Sequence, residues 1–156
     1  MSFPWKSGFV ASVLVLGLGF AGSIDAEAAS ESCRWKVKFI KYQVTDDGGE
    51  RVLETLVSVS VDGSTVNASN RLRKGETASV GETVNTVTVT KTTKVPIKMS
   101  ARERSFFPSA LVLLDETEDL SCDRGKKNGR NRTTDYELRS SGDGFAYRVY
   151  LAFERV

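Results

Sequence analysis

Two short acidic segments are the first place to look for chemistry in this 156-residue chain. Asp46 and Asp47 precede Gly48-Gly49, while Asp115 and Asp119 bracket the run Asp-Glu-Thr-Glu-Asp. A hard cation such as calcium takes roughly six to eight oxygens from carboxylates and carbonyls on loops. If Asp46, Asp47, Asp115 and Asp119 meet at one end of the fold, they form such a site. The same residues also suit ordinary solvated turns, since Asp and Asp-Gly tolerate the backbone angles that reversals need. The sequence leaves both readings open, and calcium is the one cofactor it suggests.

A second charged feature is basic. Arg124, Lys126, Lys127, Arg130 and Arg132 fall in a stretch from Cys122 to Thr134 with two glycines and no apolar residue between the cysteine and the threonine. Such a composition reads as an exposed loop. It is suited to docking on an acidic polysaccharide, phospholipid headgroups or an acidic protein, or it is a solvated loop that keeps the chain in solution. No aromatic residue interleaves it, so base stacking is not its chemistry.

Absences narrow the field. The chain has no histidine, which removes Ser-His-Asp and Cys-His catalysis and the usual histidine-bearing zinc sites. A carboxylate-pair hydrolase stays formally open, although such enzymes need a cleft around the pair. Phe106-Phe107-Pro108 places two adjacent rings that cannot share one face of a strand. Asn67-Ala68-Ser69 and Asn131-Arg132-Thr133 are glycosylation sequons in a host that glycosylates.

The elements that must position these groups begin with an expected export signal. Lys6, the apolar run Gly8 to Ile24 and the small residues Ala26 and Ala28 form the three parts of a cleavable signal peptide over residues 1–28. Removing 28 residues from 156 leaves 128, the size of one domain. The removed part carries Lys6, Asp25 and Glu27, so the balance becomes +3 from 21 basic and 18 acidic residues. That is too mild for nucleic acid. No membrane span is expected in the mature chain. Both cysteines, Cys33 and Cys122, lie in it, and an even pair in an oxidising secreted or periplasmic compartment is expected to close into a disulfide.

Period-two alternation rich in Val, Thr, Phe and Tyr predicts an all-β fold, an antiparallel two-sheet β-sandwich of seven or eight strands over residues 29–156. Trp35, Val37 and Phe39 share one phase, and Ile40, Tyr42 and Val44 the other, so a bulge is expected inside the first strand. The Asp46 to Gly49 turn is expected to fold this strand into a hairpin with a second, whose Leu53, Val57, Val59 and Val61 face inward. Further strands are expected at 65–72, 76–80, 83–93 and 95–101. Ala110 to Leu114 reads as a centrally buried strand, and Phe145 to Phe153 as the last.

The first strand Trp35-Lys36-Val37-Lys38-Phe39, the Asp-Asp loop, the strand ending Val59-Ser60-Val61-Asp62-Gly63 and the late acidic loop together resemble the calcium-binding β-sandwiches called C-two domains. The resemblance covers Cys33 to Asp119. It implies that aspartates on loops at one end bind calcium and bridge to anionic lipid, with Asp46, Asp47, Asp115 and Asp119 in that place. The expected function is therefore a secreted or periplasmic, non-enzymatic binding or structural module that recognises a surface component through its end loops, assisted by calcium. Two alternatives stand beside it: a protein-binding inhibitor or effector acting through the basic loop, and a small carboxylate-based hydrolase.

Overall fold

Alternating apolar and polar side chains become eight strands in two antiparallel sheets, with no helix among the described residues. The computed structural model describes residues 32–49, 52–104, 112–122, 131–140 and 144–156, so the expected export segment, the Phe106-Phe107 pair and most of the basic stretch lie outside them. The strands are β1 (Cys33–Asp47), β2 (Leu53–Val61), β3 (Ser64–Leu72), β4 (Thr77–Val89), β5 (Thr93–Glu103), β6 (Val112–Leu120), β7 (Arg132–Arg139) and β8 (Phe145–Arg155). Sheet A has the order β4-β1-β8-β7 and sheet B the order β3-β2-β5-β6.

β1 shows why the phase change in the sequence matters. Its ladders with β4 and with β8 both shift register between Phe39 and Lys41, which leaves Ile40 as the extra residue. An inserted residue moves every later side chain to the opposite face. Trp35, Val37 and Phe39 before the bulge and Tyr42 and Val44 after it therefore all reach the core, each with no exposed surface.

Three expectations about connectivity are corrected. β1 and β2 do not form a hairpin, because β1 pairs with β4 and β8 while β2 pairs with β3 and β5. The Asp46 to Gly49 segment instead begins a crossing from sheet A to sheet B. The stretches expected at 76–80 and 83–93 merge into one bulged strand, β4, which ends at Val89 and whose register with β1 shifts between Val37 and Lys38. The segment expected as a central strand at Ala110 to Leu114 contributes to β6, which is an edge strand reaching Leu120. β7, which overlaps the expected loop only at Arg132 to Thr134, completes the eight.

The core lies between the inward faces. Trp35, Phe39, Tyr42, Tyr147 and Phe153 are its largest members, packed with Leu53, Val57, Val59, Ile97, Met99 and Leu151. Two polar contacts cross it. Thr55 Oγ1 donates to the Asn70 carbonyl at 2.9 Å, so the Tyr42 hydroxyl, 2.6 Å away, donates to Thr55. Asn85 Nδ2 on β4 donates to the Val61 carbonyl on β2 at 3.0 Å.

The covalent tie is the expected one. Cys33, at the start of β1, is bonded to Cys122, just after β6, with Cα atoms 5.6 Å apart and a sequence separation of 89. It joins sheet A to sheet B, and both sulfurs are buried. Closing a loop of this length stabilises by about 4 to 5 kcal/mol in the chain-entropy model. The Cys33→Ser/Cys122→Ser variant is therefore expected to lose stability of that order in guanidinium denaturation. An unchanged midpoint would contradict the role assigned to the bond.

Candidate functional site

Strand positions separate the four aspartates singled out above. Asp46 and Asp47 end β1 in sheet A, whereas Asp115 and Asp119 lie on β6 at the edge of sheet B. Asp119 opposes Lys94, one step from the Thr93–Leu120 pair and close in sequence to Cys122, which is bonded to the first residue of β1. Asp46 stands thirteen residues further along β1, roughly 40 Å of extended strand away. The two acidic groups thus occupy opposite ends of the sandwich. Among the described residues, no three His, Cys, Asp or Glu side chains come together as a metal-holding group.

Each aspartate has a local occupation. Asp46 Oδ1 accepts from the Gly48 amide at 3.4 Å and lies 3.5 Å from Lys74 Nζ, and Asp47 Oδ1 accepts from the Gly49 amide at 3.1 Å. The Gly48 amide first, and Lys74 after it, hold the Asp46 carboxyl below the ordinary carboxylate range. These are the turn bonds that short acidic side chains make where the backbone enters positive φ, as Gly48 and Gly49 do at 61° and 89°. Asp115 faces Lys98 at 4.0 Å with both side chains largely exposed, a pairing worth little in water.

The acidic run is a strand because its inward positions can be satisfied. Leu120 is fully buried and Leu114 half-buried, and Glu118 between them accepts hydrogen bonds from Arg132 and from the Tyr136 hydroxyl of β7. Arg132 also lies over the Phe153 ring, 4.9 Å from its centroid. Glu118 therefore clamps the edge of sheet B to the edge of sheet A, and Arg132 belongs to this seam. Charge on an edge strand also discourages pairing with foreign strands. Arg124, Lys126, Lys127 and Arg130 lie outside the described residues.

The concave surface is elsewhere, on the outer face of sheet B. Ser58 and Ser60 on β2 sit beside Ser100 and Lys98 on β5, with Asn67 and Thr65 of β3 on one side and Leu113 and Asp115 of β6 on the other. Because the central positions carry only serine, the face dips between its longer neighbours. One hollow of about 390 Å³ reaches from Ser60 and Lys98 to Leu113 and Asp115. A second, of about 400 Å³, shares Ser58 and Ser100 with it and runs on to Leu56 and Arg102. The hollows form one trough.

Its polar groups are engaged only in part. Ser58 Oγ donates to Asn67 Oδ1 at 2.5 Å. Among the described residues, Arg102 has no acidic partner. Leu113 is 68% exposed at the rim. The sequence reading missed this surface, although Leu-Val-Ser-Val-Ser-Val on β2 and Lys-Met-Ser-Ala-Arg on β5 alternate plainly. What it lacked was the pairing that aligns Ser58 with Ser100 and Ser60 with Lys98.

No family model matches the sequence, and no curated protein does. Among solved structures, the chain is similar to human GIVD cytosolic phospholipase A2, with a TM-score of 0.45 at 11% identity over 81% of this chain and 16% of that one. It is also similar to CC2D1B, described as coordinating ESRCT-III activity during the mitotic reformation of the nuclear envelope, with a TM-score of 0.40 at 10% identity over 78% of this chain and 54% of that one. The chain thus spans a minor part of the first protein and about half of the second.

The seam yields a pH test. Burial first, and the Glu118 carboxylate after it, hold the Tyr136 phenol above the ordinary tyrosine range. A raised folded value adds stability that is complete below the unfolded value of about 10 and is lost as pH rises further. Tyr136→Phe is expected to cost about 1 to 2 kcal/mol near neutrality. Urea denaturation should show that gap narrowing above about pH 10. A gap independent of pH would remove Tyr136 from the seam.

Proposed function

We propose that the protein is an exported, non-catalytic binding module whose recognition surface is the outer face of sheet B, and that it takes an anionic component of a cell surface or matrix. The observation that supports this reading is the trough between Lys98 and Arg102, floored by Ser58, Ser60 and Ser100. Among its described lining residues the trough holds one carboxylate, Asp115, set beside Lys98. Carboxylate-pair hydrolysis needs two such groups flanking a bond. A binding role is the simpler use of this surface.

Export is part of the proposal. A buried disulfide joining the two sheets suits a secreted or periplasmic location, and the apolar run near residue 8 supplies the route. Calcium assistance at the four aspartates draws no support from their placement at opposite ends. An inhibitor acting through the basic stretch keeps only residues 124–130 for its contact, since Arg132 is committed to Glu118.

Elution from phosphocellulose tests the reading. Lys98→Glu/Arg102→Glu on sheet B and Arg34→Glu/Lys36→Glu on the outer face of sheet A change the net charge equally. The first variant is expected to elute at clearly lower salt than the wild type and the second close to it. Equal losses would mean that net charge, rather than this face, governs binding, and the proposal would fall.

A further inference from the structure

Resting on that reading, we infer that the ligand in the trough is an extended acidic glycan, a chain of uronic-acid sugars lying along β2 and β5. Three features of the surface select this chemistry over other anions.

Shape is the first. The two hollows share Ser58 and Ser100 and continue from Lys98 to Arg102, four residues and roughly 13 Å along β5. The result is open and elongated, which suits a chain passing through rather than a compact ion. A flat lipid surface would meet the raised cations without reaching the serine floor.

The second feature is the floor itself. Ser60, Ser100 and Thr65 make no side-chain hydrogen bond among the described residues, and each hydroxyl can both donate and accept. A sugar chain offers hydroxyls of the same dual kind at close spacing. Bare sulfate would use the donors and leave the acceptors idle.

Charge is the third. Arg102 presents a planar fork that matches a carboxylate, and Lys98 adds a second cation at the other end of the floor. Leu113 gives the rim an apolar contact for the carbon face of a sugar ring. Among the described residues the lining carries no aromatic side chain, so affinity for a sugar chain rests here on its acid groups. Asp115 opposes an anion from one corner.

Calorimetric titration of the full chain with oligogalacturonate tests the inference, alongside the methyl ester of the same oligomer and phosphatidylglycerol vesicles. The acid is expected to bind, with the ester weaker by about tenfold or more, a factor worth about 1.4 kcal/mol. Ser58→Val/Ser100→Val fills the floor with residues that strands accept and keeps every charge. It should weaken oligogalacturonate by about tenfold while phosphocellulose elution stays unchanged, whereas Asp115→Asn should tighten it. Binding to vesicles alone, equal binding of acid and ester, or indifference to the filled floor would overturn the glycan assignment and leave the charged face standing. Loss of the charge-reversal effect on phosphocellulose would instead overturn the face itself.

Discussion

Everything in this sandwich hangs on β1 being able to serve two ladders and one core along fifteen residues. A strand of that length between two neighbours must coil with the twist of the sheet, and a regular alternation would carry its later side chains away from the opposing layer. The bulge at Ile40 resolves the conflict in both ladders at once. It restores Tyr42 and Val44 to the interior, and Tyr42 then delivers its hydroxyl to Thr55 on the opposite sheet. The same strand supplies Cys33 at its other end. One element thus carries the covalent tie, the buried polar bridge and much of the aromatic core.

The long sides of the sandwich are closed by weaker means, and this explains the fate of the acidic run. An edge strand exposes unpaired backbone groups, and a run such as Asp115 to Asp119 is a poor template for another chain. Its cost is that Glu118 must face the seam. Glu118 becomes tolerable there only because Arg132 and Tyr136 both reach it. A cluster that looks like a metal site when written out along the chain is therefore divided by the pleat. Asp115 and Asp119 go to solvent opposite lysines, and Glu118 goes to the seam.

Legibility in the sequence followed the range of the interaction. Period-two alternation made the class, the inward residues of β2 and β8 and even the bulge readable, because each is a property of one strand. The cysteine pair was readable because the chain holds only two. Pairing was not. The Asp-Asp-Gly-Gly turn has hairpin composition, yet the chain leaves sheet A there, since nothing local reports which layer the next strand joins. β7 escaped for a similar reason: Tyr136 and Leu138 alternate with Asp135 and Glu137, but the run is short and its first residues, Arg132 to Thr134, share the composition of the basic stretch read as loop. Leu113 misled in the other direction. Five consecutive apolar residues, Ala110 to Leu114, signal burial on both faces, but Leu113 stands on an edge strand and looks outward.

The same limit explains why the proposed recognition surface escaped a reading that looked for it at the ends. Loops announce themselves by composition, whereas a sheet face is assembled from single outward residues on strands far apart in sequence. Ser58 and Ser100 are ordinary choices for solvated positions when each strand is taken alone. Their effect arises from adjacency, since two small side chains side by side lower the floor by the length of the side chains that are missing, and Lys98 and Arg102 gain height by contrast. Placing cations on such a face costs the fold little, because their charged heads remain in water while the stems lie along the sheet. Rigid strands also hold these groups at fixed spacing, so a ligand loses less to ordering the site than it would on a loop. A disulfide-tied sandwich is a suitable frame for that kind of recognition, since its stability rests on the core between the sheets and leaves the outer face free to change.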